Sequence, residues 1–457
     1  MAKRIISFII AVAMIATLAA GCGGEKGPAA DTTTAGAPAS TAEEKSTAEP
    51  KKDVTITLWQ ASASTYDTRL KMQEEFQKEY PHIKLNIVET PEGAAGNYIA
   101  AVAAGTAPTV SGAGWPSVAP FVYQNALLPL DDFIAKTPDF ANFDQAQADM
   151  FKINGKHYAV PGGSYVMRWC YNKKLFNEAG ITAPPKTWDE FLEDAKKLTI
   201  PEKQQYGVAI LASVWGCWHF MNWVWGAGGD LSKMNSDGTL TLTFTDPACI
   251  KAAEFYRTLR KEKVVQSDLS KDYGALQKDF ALGKVGMFFG GSRQNVVSMG
   301  GKAEDVGYFA FPKGPSGNGY TQSGGDVDFI TVTDDPDVAE AAWTYLMYAH
   351  SKEWTEADLK EKASKGALES SGIPARTDVN ISDFGEFDAE EIAVVEESRK
   401  WSKPEFYGKG AVSQYADDMV ATIFGDLNAD ITKVFQEQQD KAAKDVETFN
   451  KGLLEGK

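Results

Sequence analysis

The sequence predicts an α/β protein, and three observations carry that reading. Val54 to Leu58 alternates apolar and polar residues as a half-buried strand does; Met72, Phe76 and Tyr80 then recur at helical spacing until Pro81, and Ile83, Leu85 and Ile87 alternate again. Helix starts are legible further on. Thr187-Trp188-Asp189-Glu190 has the form of a capping box, while Asp246-Pro247 and Asp335-Pro336 set a proline at the first helical position. Strand-like runs lie between these starts, as at Gly286 to Phe289 and Phe329 to Val332, so strands and helices alternate along the chain.

In order, the chain begins with Lys3 and Arg4 followed by an apolar run from Ile5 to Ala20, too short for a membrane span and flanked by small residues, which reads as a secretory signal. The run ends in Leu18-Ala19-Ala20-Gly21-Cys22. That motif resembles the bacterial lipoprotein box, in which the cysteine is acylated and becomes the new N-terminus; the resemblance implies a lipid (palmitate-type) anchor at Cys22. Residues 23–53 hold no large apolar side chain and cannot bury enough surface to fold, so they read as a tether. The remaining ~400 residues exceed what one core supports, which predicts two or three lobes. From Asp417 onward, Val420, Ile423, Phe424, Leu427, Ile431, Val434 and Phe435 describe an amphipathic helical tail with a break near Leu427 to Asp430.

Composition excludes some classes of function. The formal net charge is −16 with no basic block outside the signal, which disfavours nucleic-acid binding. Besides Cys22 the chain has Cys170, Cys217 and Cys249, with no C-x-x-C; they allow at most one disulfide, and buried free thiols are the favoured reading. The four histidines, at 82, 157, 219 and 350, form no H-E-x-x-H, and there is neither a G-x-S-x-G elbow nor a Walker loop. Asp230 to Thr241 lacks the ligand spacing of a calcium loop. No cofactor or metal is implied.

Several further segments, in this order, resemble the extracellular solute-binding family of ABC sugar importers of the maltodextrin-binding type. They are Thr55-Ile-Thr-Leu-Trp59, Phe76-Gln-Lys-Glu-Tyr-Pro-His-Ile83, Ala103-Ala-Gly-Thr-Ala-Pro108, Leu127-Leu-Pro-Leu130 and Asn154-Gly-Lys-His-Tyr-Ala-Val-Pro161. Tyr171-Asn-Lys-Lys-Leu-Phe176, Pro184-Pro-Lys-Thr-Trp188, Gly228-Gly-Asp230, Phe280-Ala-Leu-Gly-Lys284, Phe311-Pro-Lys-Gly314, Gly324-Gly325 and Ile373-Pro-Ala-Arg376 complete the match. The resemblance implies a two-lobed type II periplasmic-binding-protein fold with the ligand between the lobes. Crossovers fall near Gly163–Tyr165, Gly324–Asp328 and Ile373–Arg376. Residues 54–163 with 325–373 then make one lobe and 164–324 with 374–457 the other, after a signal over 1–21 and a lipidated tether over 22–53. It also implies sugar capture outside the cell, delivery to the permease subunits of an ABC transporter, a lipid-anchored location on the extracytoplasmic face, and a monomer that is not an enzyme. A secreted lipoprotein glycosidase is the rival reading, because its carboxylate pair has no fixed sequence spacing. A binder of the same fold for a non-sugar solute or for sensing is the third.

A sugar presents apolar C–H faces and a rim of hydroxyls, so its site needs aromatic plates and planar polar side chains. After the first strand the candidates are Gln60, Ser62, Ser64 and Tyr66. Trp115 stands on an expected loop, where a large ring has little core to fill. Tyr165 and Trp169 share one face if their segment stays extended, and Tyr165 matches a contact position of the family. Among the dense cluster Trp215, Trp218, Trp223 and Trp225, Trp218 matches the family's stacking position and Trp225 is assigned to the core. Arg293 and Asp326 stand where the family often carries aromatics. They read either as polar ligand contacts or as a structural salt bridge with each other.

Overall fold

A computed structural model describes residues 52–61, 67–90, 95–365 and 368–455. Cys22, Ser62, Ser64 and Tyr66, with the signal and the tether, lie outside the described residues. The strands are β1 (Val54–Ala61), β2 (Ile83–Thr90), β3 (Val110–Gly114), β4 (Lys152–Ile153), β5 (Lys156–His157), β6 (Val160–Val166), β7 (Trp169–Asn172), β8 (Tyr206–Ala209), β9 (Ser232–Met234), β10 (Leu240–Leu242), β11 (Val285–Phe289), β12 (Val306–Phe309), β13 (Thr321–Ile330), β14 (Gly372–Ile373) and β15 (Ser402–Pro404). Among the described residues they build a seven-stranded sheet in the order β14-β6-β13-β3-β1-β2, with β15 also on β13. A four-stranded sheet runs β12-β7-β11-β8, and two short hairpins complete the set.

The first unit forms as its pattern predicts. β1 and β2 pair in parallel from Val54 opposite Ile83 to Ala61 opposite Thr90, and the helix Asp67–Glu79 between them buries Met72 and Phe76. β13 then enters antiparallel between β3 and β6, joining segments that stand far apart in sequence. The residues expected to form the first two crossovers lie inside β6 and β13 of this larger sheet. The chain leaves the sheet at Met167 and Arg168 and re-enters it at Thr321.

Local helix chemistry holds up in detail. Asp335 caps the helix Pro336–Ala349 by accepting from the amides of Asp337 and Val338. Thr187 accepts from the Glu190 amide at 3.2 Å at the start of Trp188–Leu198, while Glu190 reaches back to the Lys186 amide rather than to that of Thr187. Each such cap is worth about 1 kcal/mol. The tail forms two helices, Lys409–Gly425 and Ile431–Glu455, with the break where it was expected.

Each sheet has its own apolar packing. Ile56, Leu58, Phe76, Phe143, Val160 and Ile330 lie in one core of the larger sheet. The smaller sheet is buried under Trp169, Phe191, Trp223, Phe289 and Phe309, joined by Val412, Met419, Val420, Phe424 and Phe435 of the tail helices. Each large side chain so enclosed contributes roughly 1.5–3 kcal/mol. Cys170, Cys217 and Cys249 are buried free thiols.

Candidate functional site

The helix Gly216–Gly226, packed with the smaller sheet, comes against the start of β13 in the larger one, and the side chains of that strand alternate between its faces. At Gln322, Trp218 comes against the strand. With the carboxamide oxygen turned to the indole, Gln322 accepts from Trp218 Nε1 at 2.7 Å and donates to the Trp218 carbonyl at 2.7 Å. The Gln322 amide itself donates to Asn222 Oδ1 at 2.7 Å, one helical turn further along Gly216–Gly226. Two residues on, the ring of Tyr165 covers Gly324 so closely that a Cβ there would come within 2.4 Å of the phenol oxygen. Two residues further, Asp326 is open to solvent. Trp218, Tyr165 and Asp326 therefore follow one face of β13, over about 13 Å at strand rise. Gly325 faces the other way, and a Cβ there would strike the indole of Trp115 at 2.7 Å. Successive glycines are required because an aromatic ring lies against the backbone on each side.

Charge follows the same line. Although solvent reaches Asp326, its carboxyl is raised above the usual carboxylate range, first by the dehydration that surrounding protein imposes and then by Asp328, with Lys362 and Arg69 opposing. The Tyr165 hydroxyl is pushed up by burial, then by Glu405 and Asp326. Glu405 pairs with Lys409 at 2.6 Å and also acts on Cys217, at the start of the Trp218 helix. It is thus electrostatically close to both sides of the junction.

Of the residues expected in the site, Trp218 and Tyr165 are half-buried here and Asp326 is exposed. Three others turn inward. Trp169 is 1% exposed and packed against Phe191, Trp223, Phe289 and Phe309. The chain changes sheet between Val166 and Trp169, so Tyr165 and Trp169 do not share a face. Trp115 follows β3 as expected but is 7% exposed, because Phe151 meets its ring at 5.8 Å and Gly325 lies beneath it. Gln60 is buried and accepts from Gln73 Nε2 at 3.0 Å. Arg293 pairs with Asp388 at 3.1 Å and Glu391 at 3.2 Å instead of with Asp326. Glu391 also pairs with the buried Arg168 at 3.0 Å, and both guanidiniums lie over the ring of Tyr308. Sequence reasoning missed Gln322 and Glu405; for Gln322 the only signal is a polar residue just ahead of Gly324-Gly325.

Among the described residues, no group of three or more His, Cys, Asp or Glu could hold a metal ion, and no helix is long and apolar enough to cross a membrane.

The family of bacterial extracellular solute-binding proteins matches residues 62–356, well over half of the sequence. The chain belongs to that family. This solute-binding protein is 27% identical over 345 residues to a binding protein of Brucella abortus, covering 74% of this chain and 81% of that one. A diacetylchitobiose binding protein of Streptomyces coelicolor is 32% identical over 167 residues, 36% of this chain and 38% of the relative. In three dimensions, the solute-binding protein superposes on an ABC substrate-binding protein of Listeria monocytogenes in complex with cycloalternan. The TM-score is 0.67 at 21% identity, over 86% of this chain and 99% of that one, a likeness of fold.

Proposed function

We propose that this protein captures a sugar at the junction of its two sheets and passes it to the permease of an ABC transporter. The observation that carries the reading is the line Trp218, Tyr165, Asp326 on one face of β13. Two half-buried aromatics can cover apolar C–H faces, and the exposed Asp326 carboxylate beside them can bond hydroxyls. Relatives named for diacetylchitobiose and for cycloalternan support a sugar over another solute. Each sheet is the framework of one lobe, and the chain passes between them at Met167–Arg168 and again ahead of Thr321. A ligand that touches both only when they close stabilises the closed state by that difference in affinity, and the permease reads closure. Acylated Cys22 holds the protein at the outer face of the membrane through the tether, and the protein works as a monomer without catalysis. A thermal-shift series with maltotriose, N,N′-diacetylchitobiose, raffinose, glucose and N-acetylglucosamine tests the reading. A saturable rise in melting temperature with at least one sugar, recovered unchanged, is expected. No rise with any of them counts against a sugar, and release of reducing ends would favour a glycosidase.

A further inference from the structure

The loop that leads into the Trp218 helix is held in an unusual state. Trp215 has φ 67° and ψ 15°, the left-handed region, where a bulky side chain is strained and glycine is the ordinary occupant. The residue is 58% exposed, and Val214 beside it is 71% exposed. The conformation is pinned from another element: Asp417, on the helix Lys409–Gly425, accepts from the Trp215 amide at 3.1 Å and from the Cys217 amide at 2.8 Å. The helix Gly216–Gly226 then begins, and the Trp218 amide donates to the Trp215 carbonyl at 3.0 Å. An exposed indole therefore stands one turn before the half-buried one, on a loop after the C-terminal end of β8, which runs parallel to β11. In α/β sheets that end of the parallel strands is where ligands bind.

We propose that Trp215 is a second sugar-stacking plate beside Trp218, and that the ligand is an oligosaccharide of at least two rings. The inference rests on the sugar reading above and extends it to a substrate class. A monosaccharide needs one plate, and Trp218 supplies it. A second indole, held out against the preference of its own backbone, has a role when a second ring lies over it. The charges nearby suit hydroxyls better than an apolar protein surface: Asp417 keeps acceptor capacity beyond its two amide bonds, and the Lys409–Glu405 pair acts on the same turn at Cys217. Trp215 is open to solvent and encloses nothing, so its removal leaves the fold intact.

The test uses the full chain with Trp215→Gly, which suits the left-handed backbone, and Trp215→Phe, which keeps a plate. Each is titrated calorimetrically with whichever of maltotriose, N,N′-diacetylchitobiose and raffinose binds, and with glucose and N-acetylglucosamine. The expected result is that Trp215→Gly weakens the oligosaccharide about tenfold or more and leaves any monosaccharide affinity unchanged, while Trp215→Phe restores most of the loss. Oligosaccharide binding untouched in Trp215→Gly overturns this inference alone and returns Trp215 to a contact surface for another protein. Equal weakening of both sugar classes, or a protein that binds only monosaccharides, also overturns it. No binding of any sugar overturns the sugar reading, and this inference falls with it.

Discussion

His219 gives this protein an acid sensitivity that a single substitution should remove. Its ring is 1% exposed, stacked 5.5 Å from Trp218 and edge-on to Phe289 at 5.2 Å, and neither ring nitrogen has a hydrogen-bond partner among the described residues. Burial lowers its pKa from 6.5 to about 3. The folded state therefore binds this proton more weakly than the unfolded chain, and stability falls as pH drops below the unfolded value until the folded pKa is reached. At pH 4.5, two units below the unfolded value, the loss at about 1.36 kcal/mol per unit comes to roughly 2–3 kcal/mol. His219→Leu removes the term while conserving an apolar fit. Urea unfolding of both proteins at pH 7 and pH 4.5 reads the difference directly, since every other titrating group is shared. The variant should lose about 2–3 kcal/mol less than the wild type on acidification. Equal losses would show that His219 is protonated in the folded state or that water already satisfies its ring.

Other substitutions separate the roles of neighbouring residues. Trp218→Ala should weaken sugar affinity about 30-fold by calorimetry, the loss of a stacked and desolvated ring, whereas Trp225→Ala, 1% exposed in the core, should instead lower the melting temperature. Asp326 has a raised folded pKa, so folding favours its protonated form and stability declines as pH rises through that value. Asp326→Asn should melt above wild type at pH 7, with the gap closing in acid, and should bind sugar less tightly; a lower melting temperature at pH 7 would contradict the sign. Glu391→Ala strands the buried Arg168 guanidinium and should cost about 3–5 kcal/mol in urea unfolding, most of it recovered in Arg168→Met with Glu391→Leu. A single-variant loss within about 0.5 kcal/mol would argue against the pair. Cys22→Ala should leave the protein folded but move it from the detergent to the aqueous phase; continued detergent partitioning would refute the anchor.

What the sequence discloses here is local chemistry. Thr187, Asp335 with Pro336, and the break near Leu427 to Asp430 were legible because each acts on amides or neighbours within a turn or two. The assignment of Trp225 to the core also agrees with its burial. Side chains whose surroundings arrive from far away were misplaced. Trp115 looked free because Phe151 and Gly325 are invisible from its own segment, and Trp169 was set on one face with Tyr165 because Phe289 and Phe309 join it only through the pairing of β7 with β11 and β12. Arg293 was weighed against Asp326 because both stand where the family often carries aromatics, yet its partners are Asp388, which caps the helix Ala389–Lys400, and Glu391 on that helix, 95 and 98 residues away. The resemblance to a known family pointed to Trp218 as a stacking residue, but it gave no sign of the Gln322 side chain that bonds its indole.

The place of β13 sets a timetable for the newborn chain. β3 ends at Gly114, and the strand that completes its edge begins at Thr321. At roughly 5–20 residues per second, a ribosome needs on the order of ten to forty seconds to cover the gap. The tail helices that close over the Trp223 and Phe220 side of the smaller sheet emerge later still. Throughout that interval β3 lacks the strand that pairs with its edge, so the larger sheet cannot close and the chain stays open to any machinery that acts on unfolded polypeptide.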